Sequence, residues 1–359
     1  MRGWWEGFPG GNDRSVARGQ RFTWNTCGSG RARILATGST DRHDGAVPPS
    51  PQQDPAADRS QAIFAELRAD AVEEEGPAEP SPAASGPELA AADTVARPAE
   101  VPRKALPRVV AIANQKGGVG KTTTAVNLGA CLADLGYRVL VVDLDPQGNA
   151  STGLGINVRE LETSMYDVIL HDAPLEDCVE GTSIRNLLVA PSALDLAGAE
   201  IELVPAFSRE MRLRNALEPV RDDFDYVLID CPPSLGLLTV NAMAAAEEVL
   251  VPIQCEYYAL EGLGQLIRNV SLVQKNLNRR LQVSTIVLVM YDARTKLSDQ
   301  VAVEVREHFG DKVCRQVIPR TVRLSEAPSF GQPIIAFDPS SRGAIAYREL
   351  AKEFSGGPA

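Results

Sequence analysis

From about residue 106 onward, short apolar runs alternate with amphipathic stretches along the chain. The apolar runs are rich in valine, isoleucine and leucine, as in Tyr226–Asp230, which is typical of strands buried on both faces. Between them, apolar residues recur at helical spacing, as in Leu260–Asn276. Because strands and helices alternate, the pattern predicts a doubly wound, mostly parallel α/β sheet with helices on both faces.

The predicted elements follow one another without an internal repeat. Predicted strands are Val109–Ala113, a strand within Tyr137–Gln147, Asn186–Pro191, Tyr226–Asp230, Val249–Ile253, Val283–Met290 and Val313–Ile318. Predicted helices are one that ends near Leu135, then Ser164–His171, Glu210–Arg221, Leu260–Asn276, Gln300–Phe309 and Gly343–Phe354.

Residues 1–105 lack this pattern, and we expect them to form a disordered N-terminal extension before a single α/β domain at 106–355. Their Pro-, Ala- and Glu-rich composition buries too little apolar surface to offset chain ordering. Within this extension, Ser60–Ala69 places its apolar residues on one helical face and is interpreted as a transient helix, with a partner-docking helix as the alternative. A start codon assigned about forty residues too early is a further hypothesis.

Charge and cysteine usage narrow the class of protein. The 359 residues carry a net charge of −11, which argues against a generally basic nucleic-acid coat but leaves room for a local basic patch. The six cysteines show no metal-ligand spacing, so we interpret them as reduced thiols of an intracellular protein. No apolar run is long enough to cross a membrane, and the N-terminus lacks the apolar core of a signal peptide.

A glycine-rich run between the first strand and the first helix is the strongest chemical signal. Gln115–Thr123 reads Gln-Lys-Gly-Gly-Val-Gly-Lys-Thr-Thr. Strand, glycine loop and helix N-terminus form a cradle of backbone N–H groups for a triphosphate. Lys121 is placed to reach the β and γ phosphates, and the Thr122 hydroxyl to ligate Mg²⁺. The predicted nucleotide-binding residues here are Lys116, Gly117, Gly118, Val119, Gly120, Lys121, Thr122 and Thr123.

Acidic residues end two of the predicted strands, at the sheet edge where α/β folds bind ligands. Asp230 follows an apolar run and is expected to hold Mg²⁺, with Thr122 and Asp143 as its other predicted ligands. Asp143 and Asp145 alternate, so one can serve the metal and the other the attacking water. Phosphoryl transfer depends on charge neutralisation and in-line positioning, which such groups supply.

The loop departs from the usual phosphate-binding motif because Gln115 replaces its first glycine and a second lysine, Lys116, follows. In this it resembles the deviant Walker A motif of the ParA/MinD ATPase superfamily. The resemblance implies that Lys116 reaches across a dimer interface to the partner's nucleotide, so we expect Lys116 and Lys121 to act in catalysis. Asp143–Asn149 is similar to the family's second acidic motif, which implies that Asp145 positions the hydrolytic water.

The resemblance covers about residues 107–354. Within this range, two further segments resemble Soj-type chromosomal ParA proteins. These are Pro252–Gly262 and Ile318–Pro328, the second similar to a stretch near the adenine pocket. It implies nucleotide contacts from Pro319 and Arg320. The chain ends in a polar, helix-breaking sequence, unlike the amphipathic membrane helix that ends MinD-like proteins.

The resemblance implies a chromosome- or plasmid-partitioning ATPase that uses ATP and Mg²⁺ and forms a homodimer when ATP is bound. It also implies nonspecific binding of double-stranded DNA through Arg294 and Arg323, and stimulation of hydrolysis by a ParB-type centromere-binding protein. The expected location is cytoplasmic and nucleoid-associated, with no membrane partner. Each arginine, taken alone, also fits the description of a solvated charge that keeps an acidic protein soluble.

Two other functions use the same class of phosphate-binding loop. One is a metabolic enzyme similar to cobyrinate amidases or dethiobiotin synthetase, which phosphorylate a carboxylate before ligation. The other is a nitrogenase iron-protein-like reductase, which needs two cysteines per subunit at a dimer axis. Cys131 and Cys231 lack the flanking motifs expected for the latter, and no cysteine lies in a recognisable nucleophile motif.

Overall fold

The computed structural model describes residues 105–256 and 259–356. The predicted disordered extension, the predicted helix at Ser60–Ala69 and the hypothesis of a later start therefore lie outside the described residues, except that residue 105 itself is described.

A seven-stranded sheet forms the centre of the described part, with strand order β3-β4-β2-β5-β1-β6-β7. Every neighbouring pair is parallel except β3 with β4, an antiparallel pair at one edge. The predicted fold class is thus confirmed. The strands are β1 Arg108–Ile112, β2 Val139–Asp143, β3 Glu180–Gly181, β4 Leu187–Ala190, β5 Tyr226–Asp230, β6 Glu248–Gln254 and β7 Gln282–Val289.

Twelve α-helices surround this sheet within the described residues. They are α1 Lys121–Asp134, α2 Asn149–Gly153, α3 Met165–His171, α4 Leu175–Cys178, α5 Leu196–Glu202, α6 Arg212–Leu217, α7 Leu237–Ala245, α8 Ala259–Asn276, α9 Lys296–Phe309, α10 Val322–Glu326, α11 Ile334–Phe337 and α12 Arg342–Phe354. Short 3₁₀ turns lie at Arg221–Asp223, Gly310–Lys312 and Ala327–Phe330. Of the described helices, none combines the length and apolarity that a membrane crossing requires.

Two predicted elements differ in the structure. Val313–Ile318 is not a strand, because it pairs with β7 and the residues after it only through isolated bridges at Val313 and Pro319. The predicted helix Glu210–Arg221 is reduced to α6, because Pro219 has no N–H with which to continue the helix.

The register of the sheet brings the candidate site together. Asp230 at the end of β5 lies opposite Ile112 at the end of β1 on one side and opposite Asp143 at the end of β2 on the other. Since all three strands run in the same direction, the glycine loop and both carboxylates meet at the carboxyl edge of the sheet.

The opposite, amino edge of the sheet is closed by a buried ion pair. Arg108 at the start of β1 donates from Nε to Glu248 Oε1 at 2.6 Å and from Nη1 to the carbonyl oxygen of Phe354 at 2.7 Å. Its guanidinium also stacks 4.0 Å from the centre of the Phe354 ring. The start of the first strand and the end of α12 are therefore held together at the edge that lies away from the glycine loop.

Candidate nucleotide-binding and hydrolysis site

The glycine loop has the backbone geometry of an anion cradle. Gly118 and Gly120 have φ angles of 73° and 79°, which other residues adopt only with strain. Gly120 is the N-cap of α1 and makes no side-chain capping hydrogen bond. The first N–H groups of this 14-residue helix therefore stay available for an anion, and the helix dipole favours one. A triphosphate is the anion that this arrangement fits.

Lys121 is the first residue of α1 and is buried, with 6% of its surface exposed. Burial lowers the pKa of its ammonium group, while the nearby Asp230, Cys231 and Asp145 oppose that shift. Its Nζ atom donates a long hydrogen bond, 3.4 Å, to the carbonyl oxygen of Lys116. A phosphate oxygen would be a better partner for this ammonium group than a single carbonyl oxygen, which fits the predicted role of Lys121.

Asp143 accepts hydrogen bonds from the loop that follows it. Its Oδ2 atom accepts hydrogen bonds from the backbone N–H and the hydroxyl of Ser151 at 2.8 and 2.7 Å, and Oδ1 accepts from Asp145 N at 3.1 Å. Burial raises the pKa of Asp143 to about 6 despite these bonds. Asp143 thus anchors the loop between β2 and α2, and its predicted role as a metal ligand stays a prediction.

Asp145 lies one turn into the same loop and is also largely buried, with 8% exposed. One of its carboxylate oxygens, Oδ1, accepts from the N–H of Gln147 at 3.0 Å. This bond orients the carboxylate and leaves Oδ2 available to accept from another group. Such an acceptor beside a phosphate cradle suits the orientation of a water molecule.

Asp230 is the least satisfied polar residue of the site. Both of its carboxylate oxygens are buried, and neither accepts a well-formed hydrogen bond from the described residues. Burial raises the pKa of Asp230 well above its usual value, and the neighbouring Asp143 raises it further; Thr122 and Lys121 lie near enough to favour the charged form. A buried carboxylate without a partner calls for a cation or a donor. Asp230 and the Thr122 hydroxyl would hold a Mg²⁺ ion here.

Within the described residues, no group of three or more His, Cys, Asp or Glu side chains could hold a metal ion unaided. The residues near Thr122 fit a metal that is shared with phosphate oxygens, as Mg²⁺ is in sites of this kind.

Lys116 forms an ion pair within its own chain. Its Nζ atom donates to Glu256 Oε2 at 2.8 Å, and the side-chain amide of Gln254 donates to the other oxygen of Glu256 at 2.5 Å. Asn114 ties the same two loops together, since its Oδ1 accepts from Lys116 N at 3.0 Å and its Nδ2 donates to Pro252 O at 2.8 Å. No pattern in the sequence indicates the Lys116–Glu256 pair, because the two residues are 140 positions apart.

A cavity of about 410 Å³ adjoins the start of α1 on the side of α2. This volume lies within the usual range for small-molecule sites. Thr122 and Thr123 line it and also belong to the first turn of α1, so the cavity adjoins the phosphate cradle and has the position and size that suit a nucleoside. It is lined by Thr122, Thr123, Val126, Asn127, Asn149, Thr152, Gly153, Pro328, Ser329 and Gln332.

Pro319 and Arg320, which were predicted to contact the nucleotide, do not line this cavity, and their predicted role stays a prediction. Pro319 lines a separate cavity of about 330 Å³ with Tyr291 and Arg342, and Arg320 donates its N–H to the carbonyl oxygen of Tyr291 at 3.1 Å. Neither residue lines the cavity beside α1. The sequence segment that resembled an adenine-pocket stretch does reach that cavity, but through its last residue, Pro328.

The two arginines predicted to bind DNA are exposed but paired with acids of the same chain. Arg294 donates to both oxygens of Asp292, at 2.9 and 2.7 Å, and 88% of its side chain is exposed. Arg323 pairs with Glu326 at 3.1 Å and with Asp338 at 3.4 Å. Ion pairs this exposed contribute little free energy, so they do not prevent either guanidinium from turning to another anion.

Comparison with known proteins gives a consistent result. A family model described as an AAA domain matches residues 107–283. The chain is 60% identical over 246 residues to the sporulation initiation inhibitor protein Soj of Bacillus subtilis, a match that covers 68% of this chain and 97% of Soj. It is 57% identical over 248 residues to the chromosome partitioning protein ParA of Caulobacter vibrioides, covering 68% of this chain and 93% of the relative.

Solved structures share the fold. A cobyrinic acid a,c-diamide synthase from Mycobacterium smegmatis, solved with ADP and magnesium, is 41% identical with a TM-score of 0.61; the match covers 69% of this chain and 94% of that one. The cell division ATPase MinD of Pyrococcus furiosus is 29% identical with a TM-score of 0.57, over 69% of this chain and 98% of MinD.

Proposed function

The chain belongs to the ParA/Soj family of P-loop ATPases, and from this membership we propose that it is a DNA-partitioning ATPase whose ATP-bound form dimerises and binds DNA. It hydrolyses ATP and uses ATP and Mg²⁺. The observation that carries the proposal is the 60% identity to Soj over nearly the whole of that protein. The finer features of the proposal are the dimer, DNA binding and the partner protein.

Different residues of the site take different roles in hydrolysis. The N–H groups of the glycine loop and the start of α1 bind the triphosphate, and Lys121 neutralises charge on its β and γ phosphates. Thr122 and Asp230 would hold Mg²⁺, which would supply charge neutralisation at the phosphates. Asp145 orients the attacking water from a carboxylate that is fixed by Gln147 N. Positioning and electrostatic stabilisation are what phosphoryl transfer requires of a protein.

Dimerisation would bring Lys116 to a second triphosphate. In the single chain, Lys116 is paired with Glu256, and both side chains are partly exposed, 37% and 47%. An exposed pair of this kind is easily exchanged for a pair with a polyphosphate, which carries several charges. Lys116 therefore has a partner before ATP binds and a stronger one across the dimer afterwards.

An exposed apolar surface near the carboxyl edge gives the dimer a place to form. It is made by residues of α5 and the segments on either side, and large exposed apolar patches of this kind mark interaction sites. The segment begins at the catalytic edge, because Ser192 N donates to the Ser151 hydroxyl, which in turn bonds Asp143. Its exposed members are Leu194, Ile201, Val204 and Phe207, with exposures of 73%, 77%, 57% and 94%.

DNA binding follows from duplication of the basic surface. Arg294 and Arg323 each offer one exposed guanidinium, and phosphate contacts of this number give weak, nonspecific and salt-sensitive binding. Two copies joined by ATP act together through effective concentration, so the dimer binds DNA where the monomer does not. A ParB-type centromere-binding protein that stimulates hydrolysis would then release the DNA-bound form, and the protein would be associated with the nucleoid.

The proposal is tested by an electrophoretic mobility assay on random duplex DNA with ATP, with ADP and without nucleotide. We expect a shift with ATP or a non-hydrolysable analogue alone, and its loss as salt is raised from about 50 to 200 mM. Light scattering on the same samples should show a dimer only with the analogue. A protein that remains monomeric, or that binds DNA equally in all three states, contradicts the proposal.

A metabolic ligase remains a second candidate because of the M. smegmatis cobyrinic acid a,c-diamide synthase. An amidase that draws ammonia from glutamine needs a reactive cysteine thiolate. Burial raises the pKa of Cys131 to about 12 and the pKa of Cys231 further, so neither thiol is ionised at neutral pH. ATP consumption that depends on added cobyrinic acid and glutamine, with no ATP-dependent DNA shift, would favour this second function.

A further inference from the structure

Glu200 on α5 is seated against Gly236, the residue before α7. A Cβ atom at Gly236 would overlap Oε1 of Glu200 and would lie 2.5 Å from its Cδ and 2.8 Å from its Oε2. The φ and ψ of Gly236 are −78° and −173°, which any residue adopts without strain. The Glu200 carboxylate, and not the backbone conformation, therefore occupies the place that a Cβ atom would take here.

This contact is not explained by its contribution to stability. Oε1 of Glu200 is buried and has no hydrogen-bond partner among the described residues. A buried acceptor without a donor costs free energy, so an apolar or smaller residue at this position would be at least as stable. A buried polar group without a partner needs an explanation other than stability, and function is the usual one.

Gly236 is the far end of the acid loop, which we define as residues 231–236. The near end is fixed to the sheet, because Cys231 N donates to Ile112 O at 3.2 Å directly after Asp230. Towards α7, Ser234 O accepts from the Thr239 hydroxyl at 2.7 Å and Gly236 O accepts from Val240 N at 3.1 Å. Glu200 thus sits where the loop leaves the site and enters α7.

The other side of α5 faces outward. Ile201, the next residue, is 77% exposed and belongs to the exposed apolar surface described above. One short helix therefore touches the acid loop through Glu200 and presents apolar side chains to whatever binds outside.

We propose that Glu200 is a positioning residue for ATP hydrolysis, which holds the exit of the acid loop through its contact with Gly236. With both ends fixed, the loop keeps Asp230 and the backbone after it in one place beside the phosphate cradle. Loss of the Glu200 contact leaves the Gly236 end held by the hydrogen bond from Val240 N alone, so the loop can adopt a wider range of conformations. Misplacement by about 1 Å is enough to slow a reaction about a hundredfold. The inference concerns the ATPase activity alone and does not depend on DNA or a partner protein.

The structure predicts which kinetic constant changes. ATP binds chiefly to the glycine loop and to the start of α1, and neither contacts Glu200. Variants at this contact should therefore lower kcat by about tenfold or more and leave the affinity for ATP within about twofold.

Three variants test the contact: Glu200→Ala, Gly236→Ala and the double variant. The new methyl group of Gly236→Ala displaces only the flexible end of a side chain, so all three should fold and keep the wild-type melting temperature or exceed it. Since each single variant removes the same contact, the double variant should be no slower than the slower single variant. Single-turnover hydrolysis at saturating ATP, nucleotide affinity and thermal unfolding are measured for each.

The chain supplies a matched control on the same helix. A Cβ at Gly198 would lie 3.0 Å from Oε1 of Glu202, so α5 has a second glycine–glutamate contact, which does not involve the acid loop. Gly198→Ala and Glu202→Ala should keep the wild-type kcat. The proposal is overturned if Glu200→Ala hydrolyses ATP at the wild-type rate, or if the effects of the two single variants multiply. Absence of hydrolysis by the wild-type protein would instead count against the ATPase assignment.

Discussion

At the scale of single residues, the site is marked by groups whose surroundings do not satisfy them. Lys121 is a buried ammonium with one long hydrogen bond, and Asp230 is a buried carboxylate that accepts no well-formed hydrogen bond from the described residues. Each is costly in isolation, and each is relieved when a triphosphate and Mg²⁺ lie between them. The nucleotide therefore completes the local structure as well as serving as substrate.

Separate substitutions should divide binding from chemistry. Lys121→Ala removes the buried ammonium and should abolish ATP binding. Asp145→Ala should leave ATP binding intact and stop hydrolysis, because among the reacting groups this carboxylate contacts only the attacking water in the proposed arrangement. Calorimetric titration with ATP and a phosphate-release assay separate the two effects. Turnover by Asp145→Ala at the wild-type rate would contradict the assigned role.

The Lys116–Glu256 pair predicts a second effect. Glu256→Gln removes the charge that holds Lys116 within its own chain, so ATP-dependent dimerisation should strengthen by about two- to fivefold, as suits an exposed pair. Sedimentation velocity at several protein concentrations measures this, with Glu349→Gln, in the partly exposed Lys352–Glu349 pair of α12, as the control. Weaker dimerisation of Glu256→Gln would mean that the acid supports the dimer instead of competing with it.

Residue types and their spacing were enough to predict the phosphate loop and the acids beside it. They were not enough for contacts between distant segments. Lys116 with Glu256 and Glu200 with Gly236 are side-chain contacts made only when separate loops meet at the carboxyl edge. Neither pair has a local pattern in the sequence that could have revealed it.

At the scale of elements, buried strands were predicted well and short helices poorly. Continuous apolar runs such as β5 and β7 have few alternative structures, because both faces of a central strand are covered. α5 and α7 were not predicted. α7 is apolar on nearly all sides and lacks a helical period, and α5 leaves Ile201 exposed, which reverses the usual pattern. The segment Val313–Ile318 has strand composition but bonds the sheet only at its ends.

The nucleoside cavity is a property of elements that meet, and it is open to a steric test. Ser329→Trp should fill the cavity between α1, α2 and the turn at Ala327–Phe330 and weaken ATP binding at least about tenfold. Gln316→Trp, in the separate cavity beside Pro319, should leave binding unchanged. Fluorescent-nucleotide titrations decide between the two cavities. The reverse result would return Pro319 and Arg320 to the nucleotide site, as the sequence predicted.

The contact between β1 and α12 predicts a stability effect far from the chemistry. Arg108→Leu leaves Glu248 as a buried charge without its guanidinium partner and should lower the free energy of unfolding by about 3–5 kcal/mol. Arg108→Leu combined with Glu248→Leu should recover most of the loss. Urea denaturation measures both, with Arg280→Ala, in an exposed pair, as the control. A loss below about 1 kcal/mol in Arg108→Leu would show that the pair is not a structural clamp.

At the scale of the whole molecule, the parallel sheet follows from the alternation of strands and helices, but its order does not. β1 lies between β5 and β6, and β3 pairs antiparallel at the edge through only two residues. A two-residue strand has no sequence period, and the positions of neighbours in a doubly wound sheet depend on crossovers, which hydrophobic pattern does not encode.

The distribution of charge over the molecule predicts how DNA binding responds to salt. Arg294→Ala together with Arg323→Ala removes two phosphate contacts per subunit, so the slope of log affinity against log salt should flatten by about 3.6 for a dimer. Fluorescence anisotropy with labelled duplex at several salt concentrations gives the slope. Arg280→Ala, located at the amino edge next to β7, should leave the slope unchanged. An unaltered slope in the double variant would remove both arginines from the DNA interface.

The Arg108 contact also bears on how this protein could be handled. Within the described residues, β1 begins and α12 ends at the amino edge of the sheet, where Arg108 donates to the carbonyl oxygen of Phe354. The glycine loop lies at the opposite, carboxyl edge. A fluorophore or a surface tether attached to Lys352, a partly exposed residue near the end of α12, would stand on the side away from the nucleotide. Single-molecule recordings of ATP-driven pairing could therefore immobilise the protein through α12 without obstructing the face on which two copies would meet.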